Sequence, residues 1–224
     1  MSMLSNLDLL KRVPMFAKLT DAQLQALAGE VVKRRIKRGT ALVTQGSQSN
    51  ALFVILSGRC RVVMTDVKGR EVILATLQTG DHVGEMSLID RLPHSATVET
   101  EVQTDVLELS REVFMRSLAG SSAMAYSILC GLVLRLRRAD RKISSLALMT
   151  VYGRVADVLL ESAASSPQQD MVIREKISRQ DIAKMVGASR EMVSRVMKDF
   201  EEQGFVEALP AGGVRINAHL AYLR

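Results

Sequence analysis

The chain has 224 residues, 47% of them hydrophobic, and a formal net charge of +6 at pH 7. This length and composition allow one large domain or two modest ones, with a core of aliphatic residues and Met because Trp is absent. Cys60 and Cys130 are too few and too far apart for a zinc site or an iron–sulfur cluster, so we expect no metal and no cofactor. We find no signal peptide and no apolar run that could span a bilayer, and expect a cytoplasmic protein without membrane contacts. The positive charge permits a polyanionic partner without requiring one.

The N-terminal half is predicted to form a short helix followed by many short strands. Thr20 is a suitable N-cap for that helix, and Gly29 is expected to end it. From Val31 to Ser110, runs of Val, Ile, Leu and Thr alternate with turn residues, which is typical of a small antiparallel barrel or sandwich. Glycines recur about every ten residues and are expected to supply turn positions with positive φ. They are Gly39, Gly46, Gly58, Gly69 and Gly80.

One segment of this half, "VGEMSLIDRLPHSATVET" from Val83 to Thr100, combines a flexible backbone with a carboxylate, hydroxyl groups and a histidine. We interpret it as a pocket for a sugar-phosphate, because these groups complement phosphate oxygens and sugar hydroxyls. The alternative is an empty pocket with His94 as a surface residue. The candidate binding residues in this segment are Gly84, Glu85, Met86, Ser87, His94, Ser95 and Ala96.

A long helix is predicted after Gly120, extending to about Ser145, with Ser110 as the N-cap of the shorter helix before it. Its apolar residues keep a seven-residue period in alternating steps of three and four, which predicts a parallel homodimer. The alternative is that the stripe packs on its own domain, although a lone barrel would not cover so long a stripe. The stripe consists of Leu129, Leu132, Leu136, Ala139, Ile143 and Leu146.

From Thr150 the chain predicts a second, helical domain, with "SSPQQD" as a loop and "MVIRE" as a strand. The segment Ile177–Gly204 has the pattern of a helix-turn-helix. Ser178 is expected to cap the first helix, Gly187 to end it in a left-handed conformation, and Ser189 to cap the second helix. The alternative is an ordinary two-helix hairpin with a glycine turn.

The start of the second helix presents side chains suited to reading base edges. Arg can donate two hydrogen bonds to guanine, and Glu can accept one from cytosine. The alternative is a solvated face with an ion pair between Glu191 and Arg195. The segment "FVEALPAGGVRI" then predicts a wing of two strands around a Pro-Gly-Gly turn. The candidate DNA-binding residues are Ser178, Arg179, Ser189, Arg190, Glu191, Ser194, Arg195 and Lys198.

Together, these motifs resemble the cAMP receptor protein and fumarate–nitrate regulator superfamily of bacterial transcription factors, over about Phe16 to Leu220. The motifs that carry the resemblance are "GEMSLIDRLPHSATV", "SSLALMTVYGRVADVLL" and "SRQDIAKMVGASREMVSRVMKDFEEQG". The resemblance implies an α+β fold: a cyclic-nucleotide-binding β-barrel of jelly-roll type (1–120), a dimerisation helix and hinge (121–148), and a winged helix-turn-helix (149–224). It also implies a ligand-responsive homodimeric regulator of transcription, not an enzyme. Its partners would be palindromic DNA with TGTGA-like half-sites and RNA polymerase.

The resemblance assigns roles to individual residues. Gly84 and Glu85 would be the backbone donor and the acceptor for a ribose hydroxyl, and Ser95 and Ala96 would bind the phosphate. The family's phosphate-binding arginine is replaced by His94, which is mostly neutral near pH 7 and offers one donor at a time. In the second domain, the resemblance implies base contacts by Arg190, Glu191 and Arg195.

The effector is the open part of this interpretation. The family's adenine-binding Thr-Ser pair is replaced by Ala139 and Asp140, and a carboxylate suits the N1–H and N2–H donors of guanine. The nearby Arg135, Arg137 and Arg138 could pair with phosphate or stack on a base. We therefore favour cyclic di-GMP over cAMP or cGMP. A vestigial pocket, with Asp140 paired to a neighbouring arginine, stays open.

Other classes fit the residues less well. A haem sensor would need an axial ligand, but His82 and Cys60 are isolated, and an oxygen sensor would need an N-terminal cysteine cluster. A cupin-type enzyme needs a His/Glu metal set, which the only histidines, His82, His94 and His219, do not form. We assign no catalytic residues. A regulatory subunit of a kinase would share the nucleotide barrel but would lack the helix-turn-helix.

Overall fold

The structure, a computed structural model, describes residues 5–165, 171–174, 177–209 and 213–223. The chain divides into two compact units, residues 1–136 and 137–224, and the division falls within a long helix. The three-part division into 1–120, 121–148 and 149–224 remains a prediction. Among the described residues, no single helix has the length and apolarity to cross a membrane. The pair Arg111–Gly120 and Ser122–Leu148 meets that requirement only together, across a bend of 110°.

The first unit begins with α1 (Asn6–Lys11), a 3-10 turn (Pro14–Phe16) and α2 (Asp21–Ala28). The Thr20 hydroxyl accepts a hydrogen bond from the N–H of Gln23 at 3.3 Å, which caps α2 as predicted. The strands described in this unit are β1 (Val32–Ile36), β2 (Ala41–Val43), β3 (Ala51–Ser57), β4 (Cys60–Thr65), β5 (Glu71–Leu77), β6 (His82–Val83), β7 (Thr97–Thr100) and β8 (Thr104–Ser110).

These strands form two antiparallel four-stranded sheets in the orders β1-β8-β3-β6 and β2-β7-β4-β5. The sheets do not close into one barrel, and their arrangement is consistent with the predicted jelly roll. All five glycines that the sequence places at turns have positive φ, from 75° to 101°. Gly58 is the most constrained, because a Cβ there would lie 2.5 Å from Oγ1 of Thr104.

Three more helices follow: α3 (Glu85–Asp90) between β6 and β7, α4 (Arg111–Gly120) and α5 (Ser122–Leu148). The helices α3 and α4 belong to the first unit, and α5 continues from it into the second. Ser110 caps α4 as predicted, since its hydroxyl accepts from the N–H of Val113. The main core lies where the N-terminal helices, α4 and the start of α5 pack on β3 and β8. Its fully buried side chains include Leu10, Phe16, Leu52, Leu107, Phe114 and Met124. Each contributes about 1.5–3 kcal/mol by leaving water.

The second unit contains the end of α5 and a helix-rich domain. Its described elements are α6 (Val151–Ser162), β9 (Ala164–Ser165), β10 (Met171–Ile173), α7 (Arg179–Val186), α8 (Arg190–Glu202), β11 (Val206–Ala208), β12 (Val214–Ile216) and a 3-10 segment (Ala218–Leu223). Within the described ranges the strands form one sheet in the order β11-β12-β10-β9. Strand β9 was not predicted, and most of the predicted "SSPQQD" loop lies outside the described residues. The α+β architecture with a C-terminal winged helix-turn-helix is confirmed.

A second core holds the three helices of this domain together. Phe200 of α8 is at its centre and contacts Tyr152 and Phe205 edge to face, with ring centroids 5.8 and 6.0 Å away. The other fully buried side chains are three or four residues apart along each helix, so they lie on one helical face. They include Val155, Leu159, Ile182, Val186, Val193 and Val196.

Candidate functional site

The helix-turn-helix is built by local signals in the sequence. The Ser178 hydroxyl accepts from the N–H of Asp181 at 3.0 Å, and the Ser189 hydroxyl accepts from the N–H of Met192 at 3.1 Å. Each satisfies an N–H that the first turn of a helix cannot satisfy itself. Gly187 ends α7 in the left-handed region at φ 64° and ψ 44°, and the short turn after it leads directly into α8. All three predicted turn and cap residues are confirmed.

The first turns of α8 present a polar face with no core contacts. Hydrogen bonds from the N–H of Glu191 itself and from the Ser189 hydroxyl lower the pKa of Glu191, so this side chain is an ionised acceptor at neutral pH. Among the described residues, Arg190 and Arg195 form no ion pair, and the Glu191–Arg195 pair is not seen. Lys198 lies 3.5 Å from Glu202, one turn further on. The exposed side chains are Arg190, Glu191, Ser194, Arg195 and Lys198.

The remaining candidate DNA-binding residues have partners within the protein. Arg179 of α7 lies 3.2 Å from a carboxylate oxygen of Glu201 on α8, and the Ser178 and Ser189 hydroxyls serve as caps. In the wing, Arg215 of β12 pairs with Glu207 of β11 at 2.7 Å. The predicted turn between these strands, at 210–212, lies outside the described residues.

One contact that positions α8 was missed from the sequence. The hydroxyl of Tyr152, on α6, donates to a carboxylate oxygen of Asp199 on α8. This hydrogen bond raises the pKa of Tyr152, because deprotonation would lose the donor. The two residues are 47 positions apart, so no local pattern could have paired them.

The candidate nucleotide-binding segment begins at a backbone turn that only glycine can form. Gly84 has φ 105°, and a Cβ there would lie 2.6 Å from the carbonyl oxygen of Ala51. Helix α3 follows, with Met86 exposed and Ser87 buried. The Ser87 hydroxyl donates to the carbonyl of Leu92 at 2.7 Å and so closes the turn after α3. The backbone of the segment is therefore fixed by Gly84 at its start and by Ser87 after α3.

Glu85 lies at the centre of this segment and has no solvent exposure. Arg135 of α5 donates to Oε1 of Glu85 at 2.5 Å and to the carbonyl of His82. Burial raises the pKa of Glu85, and the Arg135 guanidinium opposes that change. Both residues that we expected to contact a ligand thus contact each other.

His82 completes this buried cluster, although we expected it from its isolated position in the chain to be only structural. Its Nε2 lies 4.0 Å from Oε2 of Glu85, and within the described ranges neither atom has a hydrogen-bond partner. Burial, and secondarily the charge of Arg135, lowers the pKa of His82 to about 3. The imidazole is therefore neutral at physiological pH.

His94 is buried, so the interpretation of it as a surface residue is wrong. Its Nε2 lies 2.9 Å from the hydroxyl of Ser49, and its backbone pairs with Gly46 and Ser47 at 2.8 Å each. Burial lowers the pKa of His94, which keeps the ring neutral. The next residue, Ser95, is exposed, and Ala96 is buried. The histidine at the arginine position is thus fixed to the loop before β3.

The other candidate ligand residues lie on α5 beyond residue 136, in the second unit. Arg137, Arg138, Ala139 and Asp140 are exposed. Within the part of the chain that the structure describes, Asp140 forms no ion pair with a neighbouring arginine. The candidate ligand set is therefore distributed over both units.

Comparisons with known proteins agree with this architecture. The Cyclic nucleotide-binding domain family matches residues 33–121, and the Crp-like helix-turn-helix domain family matches residues 153–219. The chain is 34% identical over 192 residues to the cAMP-activated global transcriptional regulator Vfr of Pseudomonas aeruginosa, covering 82% of this chain and 88% of Vfr. It is 30% identical over 194 residues to the cAMP-activated global transcriptional regulator CRP of Escherichia coli, covering 84% and 91%.

A solved structure is similar over almost the same length. It is that of CLP, described as a c-di-GMP-responsive global regulator of Xanthomonas campestris, with a TM-score of 0.78 and 27% identity. The similarity covers 89% of this chain and 100% of the CLP chain. These proteins carry different effectors in their names, so the similarity establishes the architecture and leaves the effector open.

Proposed function

The chain belongs to the cAMP receptor protein and fumarate–nitrate regulator superfamily, and we propose that it is a homodimeric, sequence-specific regulator whose effector is a cyclic nucleotide, with cyclic di-GMP favoured. Membership makes it a DNA-binding transcription regulator and not an enzyme. The observation that carries the proposal is the exposed polar face of α8, held in place by two serine caps and a left-handed glycine. The cytoplasm, where chromosomal DNA is accessible, is its proposed location.

The homodimer is supported by the exposed part of the stripe on α5, although Leu132 and Leu146 of the stripe also contact their own chain. Leu129, Leu136 and Ile143 are 59%, 63% and 64% exposed in the single chain. They are seven residues apart, so they lie along one seam of the helix. A second copy of the same helix would remove this seam from water, and each apolar side chain buried would contribute about 1.5–3 kcal/mol.

The DNA-reading assignment follows from the exposed face of α8. Arg190 and Arg195 can each donate two parallel hydrogen bonds to a guanine, and Glu191 can accept one from cytosine N4. A dimer would repeat this set on two half-sites about one DNA turn, ~34 Å, apart. We propose palindromic DNA with TGTGA-like half-sites as the target and RNA polymerase as the further partner.

Cyclic di-GMP is favoured because of the residues at positions 139 and 140. Asp140 is an exposed acceptor that can receive both N1–H and N2–H of guanine, whereas Ala139 has no side-chain hydrogen bond to offer an adenine. The CLP regulator, which is similar in structure, is described as c-di-GMP-responsive. The second candidate is cAMP, because Gly84 and Glu85 keep the residue types that the resemblance assigns to this pocket and because Vfr and CRP are cAMP-activated. The third is a vestigial pocket, because Glu85 and His94 both have protein partners.

A nucleotide that binds to the Glu85 carboxylate would have to change the contacts that Glu85 makes within the protein. A sugar hydroxyl can bind the carboxylate only if Arg135 moves or shares it, and the released guanidinium could then pair with a phosphate. Because Arg135 is on α5, this exchange would connect ligand binding to the seam helix. A ligand can shift the protein only through its difference in affinity for the two arrangements.

Calorimetry with cyclic di-GMP, cAMP and cGMP tests this proposal directly. Asp140→Ala should weaken cyclic di-GMP binding by ~10-fold or more, which corresponds to about 1.5–3 kcal/mol for hydrogen bonds to a charged group, and should leave cAMP binding nearly unchanged. Arg141→Ala, at the exposed neighbouring position, is the matched control. Equal losses for guanine and adenine ligands would reject the guanine assignment. No heat with any of the three would favour the vestigial pocket.

A further inference from the structure

The C-terminal turns of α5 and the helix-turn-helix belong to the same compact unit, and one lysine joins them. The ammonium of Lys142 donates to the backbone carbonyl of Met185, in the last turn of α7. Its side chain is half-buried, whereas Arg141 and Ile143 on either side of it are exposed. Lys142 therefore turns toward the DNA-binding domain where its neighbours on α5 face solvent.

The end of a helix is a favourable place for this ammonium. Carbonyl groups in the last turn have no partner within the helix, and the helix dipole concentrates negative charge there. Burial lowers the pKa of Lys142, while the carboxylates of Glu161 and Asp157 on α6 raise it and Arg154 lowers it further. The contact is thus a charge-assisted hydrogen bond in a partly water-excluded position.

A second contact joins α5 to the same corner of the helix-turn-helix. A Cβ built on Gly187 would lie 3.4 Å from Cδ2 of Leu146, so Leu146 packs against the turn itself. Leu146 follows Lys142 by four residues and therefore lies on the same side of α5. From α6, Arg154 donates to the carbonyl of Met149 at 3.1 Å, which closes the junction after α5.

The path from Lys142 to the reading helix is short. Met185 precedes Arg190, the first residue of α8, by only five positions. The turn between them is fixed by the left-handed Gly187 and by a backbone hydrogen bond from Ala188 to Ala183 at 3.1 Å. A displacement of the end of α7 relative to α5 would therefore move α8 as well.

We propose that Lys142 is a positioning residue for DNA recognition, which sets the angle between α5 and the helix-turn-helix and thereby the direction of α8. The inference rests on the proposed function only in so far as α8 reads DNA. It is independent of which nucleotide, if any, the protein binds. The carbonyl of Met185 accepts the hydrogen bond from Lys142. The packing of Leu146 on Gly187 is the contact about which the angle would change.

Distance measurements within one chain test this directly. Spin labels at Ser144→Cys on α5 and Gln203→Cys after α8, in a Cys130→Ser background and diluted with unlabelled protein, report the angle between the two helices. Lys142→Met keeps the aliphatic stem and removes the charge and the donor. We expect the distance distribution to broaden or shift in Lys142→Met, and to stay unchanged in Lys142→Arg and in Arg141→Met, the matched control for loss of one positive charge.

A thermal melt separates positioning from stability. If Lys142→Met lowered the midpoint of unfolding but kept the parent distance distribution, the lysine would be only a stabilising contact and the proposal would be overturned.

DNA affinity adds a functional measure. Lys142→Met should change the affinity by about 5-fold or more, the scale of a coupling between two sites, while Arg141→Met should not. The distances need neither DNA nor nucleotide. If neither the wild type nor any variant bound palindromic DNA, that result would count against the proposed function and not against the positioning role of Lys142.

Discussion

The two candidate sites of this protein differ in how their side chains are held. On α8, the assigned base-reading residues are exposed, and the first turn is capped by Ser189, whose partner N–H is only three residues away, while Tyr152 and the core around Phe200 hold the rest of the helix. In the nucleotide-binding segment, Glu85 is paired with Arg135, 50 positions away, and His94 with Ser49, 45 positions away. One set of candidate side chains is exposed, and the other includes two side chains held by internal contacts with distant residues.

The difference has a physical origin in the two kinds of ligand. Phosphates and base edges of DNA are approached from outside, so exposed donors on a helix are sufficient. A small nucleotide can also use groups withdrawn from water, and a buried carboxylate such as Glu85 needs a compensating charge. Arg135 supplies that charge here.

The largest effect is expected from removing that charge. Arg135→Leu leaves the buried carboxylate of Glu85 without a cation, and breaking a buried pair costs about 3–5 kcal/mol in general. Since part of the Arg135 side chain is exposed and Glu85 can take up a proton, we expect a loss near the lower end, about 3 kcal/mol, in the free energy of unfolding of the first unit. Urea unfolding at pH 7 measures this loss.

Two further variants decide whether the pair itself is responsible. Arg138→Leu, at an exposed position one turn along α5, should change stability little and is the control. The double variant Arg135→Leu with Glu85→Leu should be more stable than Arg135→Leu alone, because it removes the unpaired charge. Additive losses would mean that the two side chains stabilise the protein separately.

The same contrast explains which features the sequence could predict. Ser110, Ser178 and Ser189 were identified as caps because a cap and its partner N–H are neighbours in sequence. Gly187 was identified because a left-handed residue is needed to end α7 before a second helix. The backbone frame of the helix-turn-helix was predictable for these reasons.

Side-chain partners from distant strands and helices were not predictable in the same way. The Glu85–Arg135 pair, the His94–Ser49 contact and the pairing of β9 with β10 depend on the tertiary fold. Sequence reasoning proposed both Glu85, by resemblance, and Arg135, from its position near Asp140, as contacts with the ligand, and did not predict the contact between them. His82 was set aside as isolated because its burial and the approach of Arg135 from α5 depend on the tertiary fold.

A smaller effect, confined to specificity, is expected on α8. Glu191→Ala should weaken discrimination at one C·G pair of each half-site by ~1–3 kcal/mol, because a single acceptor for cytosine N4 is lost. Binding of the palindrome and of its single-base variants, measured at one salt concentration, gives this value. Gln203→Ala, at an exposed position just after the same helix, is the control. An equal loss on every sequence would show that Glu191 does not read a base.

The smallest effect concerns stability in acid. It distinguishes the contribution of His82 from that of the neighbouring Glu85–Arg135 pair. The folded pKa of His82, about 3, lies below the unfolded value of 6.5, so between these values the unfolded chain binds the proton and stability falls as pH falls. We expect wild-type protein to lose about 1 kcal/mol per pH unit below pH 6 relative to His82→Leu, with no such difference above pH 7. The raised pKa of Glu85 acts in the opposite direction, but that carboxyl is present in both proteins.

Urea unfolding of the first unit at pH 7, 6 and 5 measures this dependence, with His219→Leu in the second unit as the matched control. If wild type and His82→Leu lost stability in parallel from pH 7 to pH 5, then His82 would have to accept a proton in place. Its Nε2 would have to reach the free oxygen of Glu85, now 4.0 Å away. The buried site would then be able to rearrange without a ligand, and the contrast with the already exposed face of α8 would be smaller than the static contacts indicate.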